Sequence, residues 1–131
     1  MSPQVRKNIS KYEFYSMLML AVAELRRDFL AEGPAFHRAF SKAVEFALAN
    51  AEYAVEDAVA MRVDPVFGVV HQATEMLLEA EEDRLISLLN PELRTAQFKI
   101  SEQQAASELE ALGHAAWFRE LAQRFVNELP A

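Results

Sequence analysis

Apolar side chains recur at helical spacing through nearly the whole chain, and this period constrains the fold more than any other feature. Phe14, Leu18, Val22, Leu25 and Phe29 form one stripe. Phe36, Phe40, Val44, Ala47, Leu48, Ala51, Val55 and Val59 form a second, and Val66, Val70, Ala73, Leu77 and Leu88 a third. A stripe of this kind marks a helix face that must be buried against another element. Only 3 glycines interrupt the chain, and the 5 prolines sit near its ends or at apparent boundaries, which leaves no room for the turn-rich chain of an all-β protein. The pattern predicts an all-α fold: a helical bundle of four long helices, with a break near Gly113 and one or two short pieces. At 131 residues it is one domain's worth, with 1–9 as a polar lead-in.

Local signals place the boundaries. Ser10 and Glu13 have the spacing of a capping box, and Ile9 and Phe14 that of a hydrophobic staple. The first helix is therefore expected from Lys11 to Glu32, stopped by Gly33-Pro34. Proline suits the first turn of a second helix, predicted from Pro34 to about Arg62. That helix carries another apolar face in Ala39, Phe46, Tyr53 and Ala60, which predicts a central position in the bundle or an oligomer interface. A third helix is expected from Asp64-Pro65 to Leu89. The stretch Pro91–Ile100 reads as a turn followed by a short extended piece, Thr95–Lys99. Ser101 and Gln104 repeat the capping-box spacing. Beyond them the apolar phase switches. Ala105, Leu109, Leu112 and Ala116 share one face, whereas Trp117, Phe118, Leu121, Phe125 and Leu129 centre on nearly the opposite one. The switch falls at Gly113, so the expectation is two helices, 101–112 and 114–129, with Gly113 as the C′ residue.

Composition narrows the function classes. There is no cysteine, which excludes a disulfide scaffold, a thiolate zinc site and a cysteine nucleophile, and fits a reducing, cytoplasmic setting. The N-terminus lacks the signal-peptide order of basic, apolar and small residues. The longest uncharged apolar stretch, Phe14 to Ala23, falls far short of the roughly 20 residues of a membrane span, so no membrane association is expected. A net charge of −7 argues against broad binding to duplex DNA. Phosphate-cradling glycine loops are absent, and His37, His71 and His114 are widely spread with no nucleophile motif beside them. Nothing in the sequence points to catalysis or to a cofactor.

Three residue sets could carry chemistry. Arg6, Lys7, Lys11, Tyr12 and Tyr15, with Arg26 and Arg27 further on, mix cations with aromatics as single-stranded nucleic-acid binders do. Set against this, Phe14 and Tyr15 fit a core and the cations an ordinary surface. Glu52 and Glu56, spaced i, i+4, face His71 and Glu75 across the expected hairpin, a set that a metal ion would need. Carboxylate bundles, however, use a repeated Glu-x-x-His spacing that is missing here, and a solvated acidic edge accounts for the residues. Glu81 and Arg84 fall on the apolar face of the third helix, where charges are costly unless paired. They read as a mutual ion pair, or as part of a subunit interface together with Phe46 and Tyr53. A helix-turn-helix around Gly113 is rejected, because the would-be reading helix presents Trp117 and Phe118 where exposed polar side chains are needed.

The stretch Glu110-Ala111-Leu112 followed by Trp117-Phe118-Arg119-Glu120-Leu121-Ala122 resembles the end of the small helical subunits of type III CRISPR effector complexes. That resemblance implies a non-catalytic subunit lining a nucleic-acid channel. It covers only residues 110–122 and is too short to assign membership. The reading the sequence favours is a non-catalytic helical interaction protein, a homo-oligomer or a subunit of a larger assembly. Its partner is expected to be another copy or another protein. The alternative is a single-stranded nucleic-acid-binding protein or a small subunit of a nucleoprotein complex.

Overall fold

The computed structural model describes residues 7–25, 28–31, 34–49, 53–56, 61, 70–88 and 95–129. They form five helices, α1 (Lys11–Leu25), α2 (Pro34–Ala49), α3 (His71–Glu82), α4 (Glu102–Leu112) and α5 (Ala115–Glu128). Five short strands lie between them, β1 (Lys7–Ile9), β2 (Asp28–Leu30), β3 (Tyr53–Val55), β4 (Ile86–Ser87) and β5 (Thr95–Phe98). β1 and β3 pair in parallel, and β2, β5 and β4 make an antiparallel sheet in that order. The described residues are thus mostly helical with a few short strands, and they do not establish the expected bundle of four long helices.

Helix starts follow the caps. Ser10 Oγ accepts the Glu13 N–H at 3.1 Å, and Ile9 and Phe14, the staple pair, are both buried. Ser101 Oγ accepts the Gln104 N–H at 3.1 Å in the same way. Gly113 closes α4 in the left-handed region at φ 86°, with its N–H donated to the Glu110 carbonyl. The break therefore falls where the apolar phase switches, and the extended piece near Thr95 is β5.

Three helices end earlier than their stripes predict. α1 stops at Leu25, and Phe29 lies on β2, buried at 2% exposure, while Leu25 is left at 44%. α2 stops at Ala49, and Val55 belongs to β3. α3 stops at Glu82 in a Schellman motif. Leu85 N–H reaches the Ala80 carbonyl and Arg84 N–H the Glu81 carbonyl, with Arg84 as a non-glycine C′ residue at φ 63°. In each case the segment after the helix is drawn into strand pairing with a distant part of the chain. β2 pairs with β5, β3 with β1, and β4 with β5.

The central helix is α1, not the second helix. Phe14, Tyr15 and every residue from Met17 to Ala23 are buried, so α1 is apolar around its whole circumference. It packs against α3, α4 and α5, while α2 packs on α5. The core has two aromatic groups. Phe14 joins Phe40 and Phe118, and Phe29 joins Phe36, Phe98 and Phe125 at centroid distances of 5.5–6.0 Å, a spacing at which rings attract.

Candidate functional site: a polar seam between the first and third helices

Residues from two of the predicted sets meet where the first turns of α1 lie along α3. Tyr15 is an N-terminal residue of α1 with a buried ring, yet its hydroxyl reaches the edge of the core and donates to Glu75 Oε1 at 2.7 Å. Lys11, one turn earlier, brings its Nζ to 3.3 Å of the same oxygen. The spacing is helical: positions 11 and 15 share a face of α1 and converge on one carboxylate. Further along, Ser16 Oγ stands 3.5 Å from Asp83 Oδ2, at the outer limit of a hydrogen bond. The Tyr15 hydrogen bond holds the Glu75 carboxyl below its ordinary range, against the upward pull of burial, and Lys11 adds to the effect. A carboxylate held down in this way stays ionised at neutral pH and is poorly matched to general-base work near pH 7. The seam is therefore a clamp between two helices.

Tyr12 stands at the rim. The residue is 48% exposed, and its ring packs edge-on against Tyr15 at 6.1 Å with Lys11 Nζ 5.2 Å from its centroid. Of the cation–aromatic strip, then, Tyr12 is exposed, Tyr15 is buried, and Lys11 shares its charge with Glu75. Lys7 contributes backbone to β1. Arg6, Arg26, Arg27 and the Lys7 side chain lie outside the described residues.

The other sets do not come together. Glu75 serves the seam, His71 is exposed at the first position of α3, and Glu56 is exposed in a turn, where its N–H bonds to the Ile9 carbonyl. Glu52 lies outside the described residues, among which no three His, Asp or Glu side chains are placed to hold a metal ion. Glu81 and Arg84 are not neighbours on a helix face, because the helix ends between them. Glu81 Oε2 accepts the Leu88 N–H at 3.0 Å, and Arg84 is exposed in the turn. Phe46 is half-buried, with the Arg124 guanidinium of α5 4.8 Å from its ring centroid, so part of its surface is covered from within the chain. Tyr53 supplies backbone to β3, and its side chain lies outside the described residues. An open cleft of about 460 Å³ beside β1 and β3 is lined by Asn8, Ile9, Ser10, Ala54, Val55 and Glu56. Among the described residues of its walls, Glu56 alone is charged.

Two further polar ties were not legible in the sequence. Arg119 on α5 donates from Nε to both oxygens of Glu24 at 3.1 and 3.2 Å, and its Nη1 lies 2.7 Å from Glu110, so one guanidinium joins α1, α4 and α5. His37 Nδ1 accepts the Val70 N–H at 3.0 Å. No linear signal marks either tie, since the partners are up to 95 residues apart and one of them is a backbone amide. Trp117, central to the resemblance drawn from residues 110–122, is buried at 6% exposure and serves the core. Comparison with protein-family models, curated proteins and solved structures gives no match. No helix among the described residues is long and apolar enough to cross a membrane.

Proposed function

We propose that this chain is a non-catalytic helical interaction protein, acting as a homo-oligomer or as a subunit of a larger assembly. The observation that carries this reading is the seam itself. The carboxylate, phenol and ammonium that could have served chemistry are spent on one another, holding α1 to α3. The Arg119 and His37 ties are likewise internal. Large apolar side chains meanwhile remain outside, Leu78 at 58% exposure on the solvent side of α3 above all. Single exposed leucines are common on monomers, so the test must be direct. Light scattering on the purified full chain over a range of concentrations should give a mass of at least two chains, or of one chain with a stoichiometric partner. A strict monomer at every concentration, with no partner retained in native purification, overturns the reading.

Exposed Tyr12, with its ring beneath Lys11, favours a second reading, single-stranded nucleic-acid binding by base stacking. A gel shift with single-stranded oligonucleotides should weaken with salt and with Tyr12→Ala. The absence of any shift at low salt ends that reading.

A further inference from the structure

The His37–Val70 contact joins two helices that lean on different neighbours. His37 sits in the first turn of α2, which packs on α5, whereas Val70 is the N-cap of α3, which packs on α1. The N-cap of α3 has no side-chain cap of its own. The first N–H groups of a helix lack intrahelical partners, and the imidazole supplies an acceptor just where the chain enters α3. Because Nδ1 accepts, the neutral ring must carry its proton on Nε2.

We infer that His37 is a proton-operated latch: the neutral imidazole holds the start of α3 to α2, and protonation releases it. Three features of the geometry work together. A protonated Nδ1 is a donor and faces another donor, the Val70 N–H, so the hydrogen bond cannot survive. The entry to α3 is the positive end of a helix dipole, which repels an imidazolium. His71, the next residue on α3, adds to that repulsion once it is charged. Among the described residues, the nearby cations of α2 and α5 are engaged elsewhere. Arg38, next along α2, lies 3.9 Å from Glu128 of α5, and Arg124 of α5 lies over Phe46. Phe36 contributes an edge-on ring at 5.2 Å, with no charge. Burial is the largest influence on His37 and lowers its pKa, and the charge of His71 lowers it further; an N–H donated to Nδ1 likewise favours the neutral ring. A histidine with a lowered folded pKa contributes stability that is fully present above its unfolded value and is lost as the pH falls through the folded value. The latch is thus closed near neutrality and opens as the pH falls below the ordinary imidazole value.

Amide hydrogen exchange, followed by NMR on the intact chain from about pH 7.5 to about pH 5, tests this across the range in which imidazoles titrate. The Val70 protection factor, which corrects for the intrinsic pH dependence of exchange, should fall by roughly tenfold as the His37 ring titrates. Amides of α1 should keep theirs in the same spectra. His37→Asn places a non-titrating oxygen acceptor near the Nδ1 position and should make Val70 protection independent of pH. His37→Phe should leave Val70 poorly protected throughout, and His71→Gln should preserve the pH dependence. The latch is overturned if Val70 protection stays level through the His37 titration, or if α1 loses protection in step with Val70. It is also overturned if His37 titrates at or above the ordinary value of about 6.5.

Discussion

Gly113 and Arg84 are the two residues with positive φ among those described, and each ends a helix. Left-handed backbone costs an L side chain energy that glycine escapes. At Gly113 an added Cβ would meet nothing within 4 Å, so Gly113→Ala changes the backbone term alone. It should lower stability by about 1 kcal/mol in urea unfolding. Arg84→Gly is the mirror experiment. It relieves the strained C′ position and should raise stability by about 1 kcal/mol, with little lost because Arg84 is exposed. Gly113 was legible because the apolar phase switches there and glycine is the usual left-handed residue. Arg84 was not, because arginine carries no such preference and the stripe runs on past it to Leu85 and Leu88.

For whole elements, the serine caps and the stop at Gly113 were readable, and the stops of α1, α2 and α3 were not. Ser10 and Ser101 act through backbone three residues away, which a sequence displays directly. β2 arises from pairing with β5 almost 70 residues later, which a sequence does not display. Leu25 and Phe29, spaced i, i+4, look like one stripe, yet one is exposed and the other lies in an aromatic cluster. Substitution separates the two readings. Phe29→Ala should cost about 3–5 kcal/mol, whereas Leu25→Ala should fall within about 0.5 kcal/mol of the parent, both by chemical denaturation. A continuous helix facing the core would have made both substitutions severe.

The candidate site becomes visible only in the assembled molecule. Lys11, Tyr12 and Tyr15 stood out as a nucleic-acid strip and Glu75 as a metal ligand, and packing α1 on α3 makes Tyr15, Lys11 and Glu75 a single tie over a 60-residue separation. Residue types were readable in advance, but which of them would meet depended on the end of α1 and the start of α3. The tie has a consequence for acid stability. Glu75 has a lowered folded pKa, so its contribution is fully present above the ordinary carboxylate value and disappears as the pH falls through the lowered one. Tyr15→Phe should therefore cost about 1 kcal/mol at pH 7, a modest figure because the carboxylate is more than a third exposed. The gap between the variant and the parent should narrow toward pH 3, as measured by urea unfolding at both values.

The burial of α1 on every side also governs how the protein can change. In a saturation scan, α5 should show a rhythm, with Gln123, Arg124 and Asn127 accepting most replacements between intolerant core positions. Positions 17 to 23 of α1 should show no rhythm, only an unbroken run that rejects every polar substitution. A helix with no outward face along that run cannot acquire a new recognition role there without dismantling the core. Among the described helices, variation that alters what this protein meets is left to the first turn of α1 and to the outer faces of α2, α3, α4 and α5.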